Sequence, residues 1–465
     1  MAVVEGGDES DRDPDDFYDI DAVADGLAVT LLSVRWTRES LVQATRAFIG
    51  SSKPDNCDRL IDDLLSRQPY GYPPPRLWLF EFLLNSAAFD RLVEHNLTDD
   101  DADQPQLVSP AFNASPQFQR LSVPQLTTQG DLAHWLGLSL AQFDWFADHL
   151  RTAGETVIPD LQHYRYHFVP KRSGPPRLVE EPKPRLKTMQ RRILREMIAK
   201  VPAHPAAHGF VARRSCLTAA QVHANEAVVL RMDLKNFFVS TPVRRVHGVF
   251  RSLGYPHLTA RALTGLVSTA TPARVFERPD AAGGHDHQTR RDYAGRHLPQ
   301  GAPTSPALAN LAAWRLDVRL TGLADAFAAR YTRYADDLTF SGDAGFERRS
   351  AAFLRLVTDI VEDEGYRLNA AKTRVMPQSV QQRVTGIVVN RHVNIDRRHF
   401  DRLKATLHNC VRHGPVPENR DGVADFKAHL LGKVAWVEQV NPARGAKLRR
   451  LFDAISWPAA TSPPD

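Results

Sequence analysis

The stretch RYADDLTFSG (333–342) constrains this chain more than any other. Its adjacent carboxylates, Asp336 and Asp337, lie between two runs rich in strand formers, ArgTyrThrArgTyr before and LeuThrPhe after. That pattern is a short hairpin that lifts both carboxylates to its turn. Such a pair is either an ordinary polar turn or a divalent-metal site. A third carboxylate upstream decides how to read it. AVVLRMDLKNFF (227–238) opens as an apolar strand, reaches Asp233 and is followed by two aromatics, Phe237 and Phe238. One strand-end aspartate plus a hairpin pair is the constellation that two-metal phosphoryl transfer needs, with Mg²⁺ ions roughly 3.5–4 Å apart on the attacking and leaving oxygens. The residues point to a polymerase.

YADD at Tyr334 to Asp337 resembles the Tyr-x-Asp-Asp box of reverse transcriptases, and the other boxes of that family follow in order. KRSGPPRLVEEPKPRLKTMQRRIL (171–194) and AHGFVARRS (207–215) resemble its fingers motifs, and LRMDLKNFF (230–238) its first metal-binding strand. LPQGAPTSPALANL (298–311) resembles the nucleotide-pocket motif, GYRLNAAKTRVM (365–376) the motif after the hairpin, and VTGIVVN (384–390) the primer grip. The likeness covers 161–460. Finer details resemble the bacterial retron branch: AHGFV with ArgSer shortly after, the tripeptide Val384-Thr385-Gly386, an LGLS segment before the fingers, and the tail LLGKVAWVEQVNPARGAKLRRLF (430–452). One departure stands out. Retron enzymes carry Asn-Ala-x-x-His before the first metal strand, whereas AAQVH (219–223) keeps Ala220 and His223 without the asparagine.

The resemblance implies an α+β, right-hand polymerase with an N-terminal helical extension. The expected divisions are an acidic disordered tail (1–25), a helical extension (26–160), fingers (161–225), palm (226–390) and a thumb that binds RNA (391–465). It implies that Asp233 holds two Mg²⁺ ions, that Asp336 shares them and that Asp337 is bound less directly. Phe238 matches the steric gate that selects dNTPs by the sugar, and Lys372 the lysine that protonates the leaving pyrophosphate. General acid help of that kind is worth ~10²–10⁴-fold. The partners implied are a cognate structured non-coding RNA, its DNA product, dNTPs and an effector protein in antiphage defence. Synthesis would start from a guanosine 2′-OH and give a branched RNA–DNA product. Two other readings stay open: another bacterial reverse transcriptase, intron-derived or from a different defence system, and a catalytically silent RNA-binding scaffold.

Several readings come from the residues themselves. Lys171 and Arg177 flank a SerGlyProPro turn (173–176), so they are either solvated hairpin charges or a point charge and a fork suited to a triphosphate. Gln300 can hydrogen-bond a nucleotide, and Gly301 lets backbone approach closely. Asn310 is a structural cap or a polar contact. HisAspHis (285–287), in a polar Gly/His insert, reads as solvent-exposed rather than metal-binding. Residues 391–465 contain basic amphipathic helices whose Lys427, Lys433, Lys447, Arg449 and Arg450 can track a nucleic-acid backbone. The 75 residues after Asn390 are too few for a thumb plus a ribonuclease H domain, so removal of the template is expected from a host ribonuclease H.

Charge agrees with a polyanionic partner. The net charge of +5 conceals ten Asp or Glu and one Arg in residues 1–25, and the remainder carries +14. Three scattered cysteines (Cys57, Cys216, Cys410) argue against a disulfide scaffold and for a reducing cytoplasm. No signal-length segment and no run of ~18 apolar residues points to a membrane. DLAHWLGLSLAQFDWFADHL (131–150) places Leu132, Trp135, Leu136, Leu140, Phe143 and Phe146 at helical spacings about a Gly-containing turn. That reads as a packed helix pair in preference to a DNA-reading one.

Overall fold

Val228–Asp233 (β3) opens on three apolar residues, is buried along nearly its whole length and is an inner strand of a four-stranded antiparallel sheet. The computed structural model describes residues 20–49, 54–68, 73–74, 76–97, 111–148, 156, 158, 161–171, 174–281 and 286–457. The acidic tail through residue 19, Ser173, His285 and the final SerProProAsp lie outside the described residues. The chain divides into two compact units, Met1–Thr152 with His247–Leu266, and Ala153–Val246 with Val267–Asp465.

The first unit is helical. Ile20–Ser33, Arg38–Ile49, Pro54–Arg67, Arg76–Leu84 and Ala87–Leu97 enclose a core that includes Leu27, Leu31, Phe48, Leu60, Leu79 and Phe89. The boundary expected after residue 25 is corrected here, because the first helix already begins at Ile20. Val23, Ala24, Leu27, Ala28 and Leu31 form one apolar stripe at helical spacing and are buried, and Asp25 pairs with Arg76. Packing therefore extends the helix into the acidic segment.

Gln129–Leu136 and Leu140–Ala147 are the expected helix pair, each opened by a capping box, Thr128 with Asp131 and Ser139 with Gln142. Gly137 closes the first in the left-handed region at φ 71°. Leu132 and Phe143 are buried, but Leu140 is 62% exposed at its helix start. Residues 247–266 lie inside the sequence expected to be palm, yet they pack with this unit. Gly254 O and Ser252 O accept from Asn113 N and Ser115 N at 2.9 Å, and Tyr255 Oη donates to Pro124 O at 2.9 Å.

The second unit opens with a hairpin, Tyr164–Val169 (β1) against Arg177–Pro182 (β2), followed by the helix Pro184–Glu196. Its main sheet runs Arg330–Tyr334 (β4), Asp337–Gly342 (β5), β3 and Arg374–Pro377 (β6), in the order β4-β5-β3-β6. The helices Ser305–Ala312, Trp314–Ala326 and Ala344–Asp363 bury Leu308, Leu316, Phe346 and Phe353. A two-residue turn, Thr385 (φ 50°) and Gly386 (φ 87°), joins Arg383–Val384 (β7) to Ile387–Val388 (β8). Both turn residues need positive φ, and Thr385 Oγ1 donates to Cys216 O at 2.9 Å.

The helices Arg397–His413, Phe426–Val440 and Pro442–Asp453 share a core with Val229, Val384 and Ile387. Among the described residues no helix is long and apolar enough to cross a membrane.

The last two helices approach so closely that a Cβ on Gly445 would lie 2.3 Å from Glu438 Cα. Gly445→Ala should therefore prise them apart at a cost of about 1–3 kcal/mol. Urea denaturation should show a lower midpoint than wild type, and an unchanged midpoint would mean the hairpin relaxes freely.

Candidate active site

The sheet register assembles the carboxylates. Asp233 ends β3 and stands opposite Asp337, the first residue of β5. Tyr334 also pairs with Asp337, so Ala335 and Asp336 form the hairpin turn, with Ala335 at φ 57°. Leu234 N donates to Asp336 O at 2.9 Å and ties the turn to the end of β3. Asp233, Asp336 and Asp337 therefore meet at one edge of the sheet. The first cause acting on Asp336 is burial, and the charges of Asp233 and Asp337 follow; together they push its carboxyl up to about 6.

Two cations answer this concentration of negative charge. Lys372 Nζ reaches both oxygens of Asp233, at 2.9 and 2.8 Å. Its segment is held by Asn369 N donating to Asp233 O at 2.8 Å and Lys235 N donating to Arg367 O at 2.7 Å. Arg231, two residues before Asp233 on β3, forks onto Asp337 with Nη2 at 2.9 Å from each oxygen. Among the described residues no three His, Cys, Asp or Glu side chains are arranged as a ready metal cage. The donor set is nonetheless all carboxylate oxygen, the chemistry a hard divalent cation prefers. Asp336, raised by burial first and by its two acidic neighbours second, lacks among the described residues a counter-charge of its own, which such a cation would supply. The residues fit the divalent ions that reverse transcriptases generally use.

Beneath the turn lies a network the sequence did not disclose. Arg333, the residue before Tyr334, is completely buried. Its Nε and Nη2 donate to the two oxygens of Asp317 at 2.8 and 2.6 Å, and Nη1 donates to Asn310 Oδ1 at 2.8 Å and Ala335 O at 3.2 Å. Tyr331 Oη adds a bond to Asp317 at 2.8 Å, and the guanidinium lies 5.4 Å from the centre of the Phe237 ring. Asn310 Nδ2 in turn donates to Gly209 O at 2.8 Å, and a Cβ on Gly209 would sit 2.6 Å from Ala335 N. Asn310 is thus a polar contact that locks the turn carrying Asp336. His223 does similar work further along the same two strands, bridging Ser341 Oγ at 2.7 Å and Thr332 Oγ1 at 2.8 Å; burial pushes its pKa down to about 3 and keeps it neutral.

The residues expected around a nucleotide fall in two groups. Phe238 is half-buried, 6.0 Å from Phe210 and 5.7 Å from Phe237, while Phe237 is buried. Lys171 is exposed beyond the end of β1, and Arg177 starts β2. Partial burial lowers the pKa of Lys171, and it also feels Arg177, Lys372 and Asp233, which places it in the field of the carboxylate edge. Gln300 O accepts from Glu180 N at 2.7 Å. Gly301 has φ 138°, and a Cβ there would lie 2.8 Å from Glu180 O. The close approach that requires this glycine is therefore by β2. Below that contact Glu180 is buried and accepts from Thr271 Oγ1 at 2.6 Å, with His297 Nε2 at 2.9 Å.

The cations expected to track RNA in 391–465 differ in availability. Lys427, Lys447 and Arg450 are exposed, Lys433 is half-buried, and Lys427 lies over the Trp457 ring. Arg449 is spent on a two-pronged bond to Glu438, at 2.9 and 2.6 Å. The helix Arg397–His413 carries a row that sequence reasoning passed over: Arg398, Arg402, Lys404 and Arg412, all exposed. Its signal was the alternation of these cations with the buried Leu403, Leu407 and Cys410. Asp286 of the HisAspHis stretch caps the helix His287–Ala294, accepts from Thr289 N at 2.6 Å and pairs with Lys235.

A carboxylate edge, a buried turn lock and a glycine-dependent loop against a fingers-like hairpin define a template-directed nucleotidyltransferase. The family model for reverse transcriptase (RNA-dependent DNA polymerase) matches residues 169–389. The retron Mx65 reverse transcriptase of Myxococcus xanthus is 40% identical over 336 residues, 72% of this chain and 73% of that one. The Mx162 enzyme of the same organism is 37% identical over 353 residues, 73% and 69%. The Ec86 enzyme of Escherichia coli is 32% identical over 299 residues, 61% and 85%. The chain belongs to the retron reverse transcriptases and is an RNA-directed DNA polymerase with the family's α+β fold.

Asp317→Asn would leave the Arg333 guanidinium buried without its counter-charge. Removing one partner of a buried pair costs about 3–5 kcal/mol. Chemical denaturation should register that loss, whereas wild-type stability would show that Asn310 and Ala335 suffice to hold the arginine.

Proposed function

We propose that this chain copies a cognate structured RNA into DNA by metal-assisted phosphoryl transfer at Asp233, Asp336 and Asp337. The observation that carries the proposal is the meeting of these three carboxylates at one sheet edge, with Lys372 on Asp233. Two Mg²⁺ ions held there would supply the charge stabilisation that in-line displacement needs. The residues of this chain do the rest. Asp233 and Asp336 would hold the ions, and burial of Asp336 favours a bound cation as its counter-charge. Lys372 moves from Asp233 to the leaving pyrophosphate, where its ammonium can give up a proton. Lys171 and Arg177 grip the triphosphate, Gln300 and the backbone at Gly301 contact the nucleotide, and Phe238 excludes a ribose hydroxyl.

In this reading 161–225 act as fingers, 226–390 as palm and 391–465 as an RNA-binding thumb. Folded RNA presents shape and phosphates to basic surfaces. Lys427, Lys433, Lys447 and Arg450, with the row on Arg397–His413, supply such a surface. Arg449 supports it by fixing Glu438. The kinship with retron enzymes supports priming from an RNA 2′-OH, a branched RNA–DNA product trimmed by a host ribonuclease H, and a cytoplasmic role with an effector in antiphage defence.

Asp336→Asn combined with Asp337→Asn should lower RNA-templated extension by about 10³-fold or more. RNA affinity, which rests on distributed phosphate contacts, should hold. Wild-type enzyme expressed with its RNA should yield DNA joined through a 2′–5′ branch. Near-normal extension by the double variant would remove the carboxylates from the chemistry. A product made only from a 3′-OH primer would remove the branched priming alone.

A further inference from the structure

A cleft of about 770 Å³ opens within the first unit, away from the carboxylate edge in sequence. Its walls come from the end of the first helix, the second helix, the segment 111–119 and the turn at 251–255. Two arginines face into it, Arg35 and Arg251, and no carboxylate lines it among the described residues. Arg251 spends one N–H on Tyr255 O at 3.0 Å. Arg35 is exposed and has no side-chain partner among the described residues. Each guanidinium carries five N–H donors, so most remain for a ligand. Ser40, Gln43, Asn113 and Ser115 add uncharged polar groups to the walls, and the Ser115 hydroxyl makes no helix-cap bond.

The two cations also oppose each other. Burial first, then the charge of Arg35, lowers the proton affinity of Arg251. Like charges gathered in a partly buried site, with no carboxylate among its described lining residues, are stabilised by an anion. Guanidinium forks match phosphate oxygens in geometry, and the cleft falls in the roughly 300–1,000 Å³ range of small-molecule sites, far larger than an inorganic ion needs.

We infer that this cleft binds a phosphate together with its nucleoside, with Arg35 and Arg251 as the phosphate fork. The phosphate belongs to a strand of the RNA that the enzyme carries, or to a free nucleotide. The class of ligand rests on the reading of the chain as an RNA-copying enzyme. The cleft itself does not.

The test uses the full chain and a short unstructured RNA oligonucleotide bearing 4-thiouridine. Arg35→Glu is chosen because Arg35 is exposed, and Arg91→Glu, also exposed in the first unit, controls for net charge. Arg35→Glu should weaken binding about 3–10-fold at ~0.1 M salt, lower the slope of log affinity against log salt by about 0.7, and abolish photocrosslinks to 111–119. Arg91→Glu should leave all three within about twofold of wild type, and Arg35→Lys should restore part of the loss. If excess adenosine 5′-monophosphate removes the crosslink, the site takes free nucleotide; if the crosslink persists, it holds a strand. Wild-type affinity, slope and crosslinks in Arg35→Glu would overturn the inference, as would an equal loss in Arg91→Glu. Single-nucleotide addition on a short preformed primer–template, followed in parallel, should not change. A failure there in wild type would count against the polymerase reading and leave the cleft untouched.

Discussion

Mutual repulsion among Asp233, Asp336 and Asp337 is the constraint around which the second unit is organised. Two unit charges ~4 Å apart at an effective dielectric near 20 interact by about 4 kcal/mol, so three carboxylates at one strand edge cannot assemble without support. The support comes in two forms. Lys372 and Arg231 neutralise two of the three directly. The backbone removes the freedom to move apart, because β3 is buried and paired on both sides and because Leu234 N holds the turn at Asp336 O. Lys372 and Arg231 thereby supply the positive charge that balances the strand-edge aspartates.

The turn itself is held from below. Arg333 converts a surface-type residue into a fully buried polar anchor of the site, since one guanidinium satisfies Asp317, Asn310 and the Ala335 carbonyl together. A buried ion pair of this kind adds little net stability over an apolar core, but breaking it is expensive, and its best use is to specify one arrangement. Here the arrangement specified is the position of the two adjacent aspartates relative to Phe237 and the Gly209 loop. The Glu180–His297–Thr271 cluster plays the matching part under the Gln300–Gly301 loop, so the strand that starts with Arg177 is registered to the loop expected to meet the nucleotide.

Much of this was legible in the sequence because it follows from short-range rules. A strand-end aspartate, an acidic pair in a hairpin and a glycine in a tight loop announce themselves through period-two patterning and turn chemistry. What stayed hidden depends on distant partners. Arg333 reads as an ordinary exposed cation of an alternating strand, and its burial depends on Asp317 and Asn310, sixteen and twenty-three residues earlier on helices. Arg449 reads as free to meet phosphate until Glu438 is placed beside it. Residues 247–266 sit between palm motifs in the chain, yet Gly254, Tyr255 and their neighbours bond to 113–124. The acidic residues near 20–25 suggested a tail, and burial of Val23 and Ala24 outweighed them.

The account stands on metal-dependent DNA synthesis at the carboxylate edge, and single-turnover addition of a dNTP opposite an RNA template measures it most directly. The rate should rise with Mg²⁺ to saturation, vanish with chelator and return when Mg²⁺ is restored. Addition that proceeds at the same rate without a divalent cation would contradict the account, and so would wild-type enzyme that binds the RNA template with no addition at any Mg²⁺ concentration.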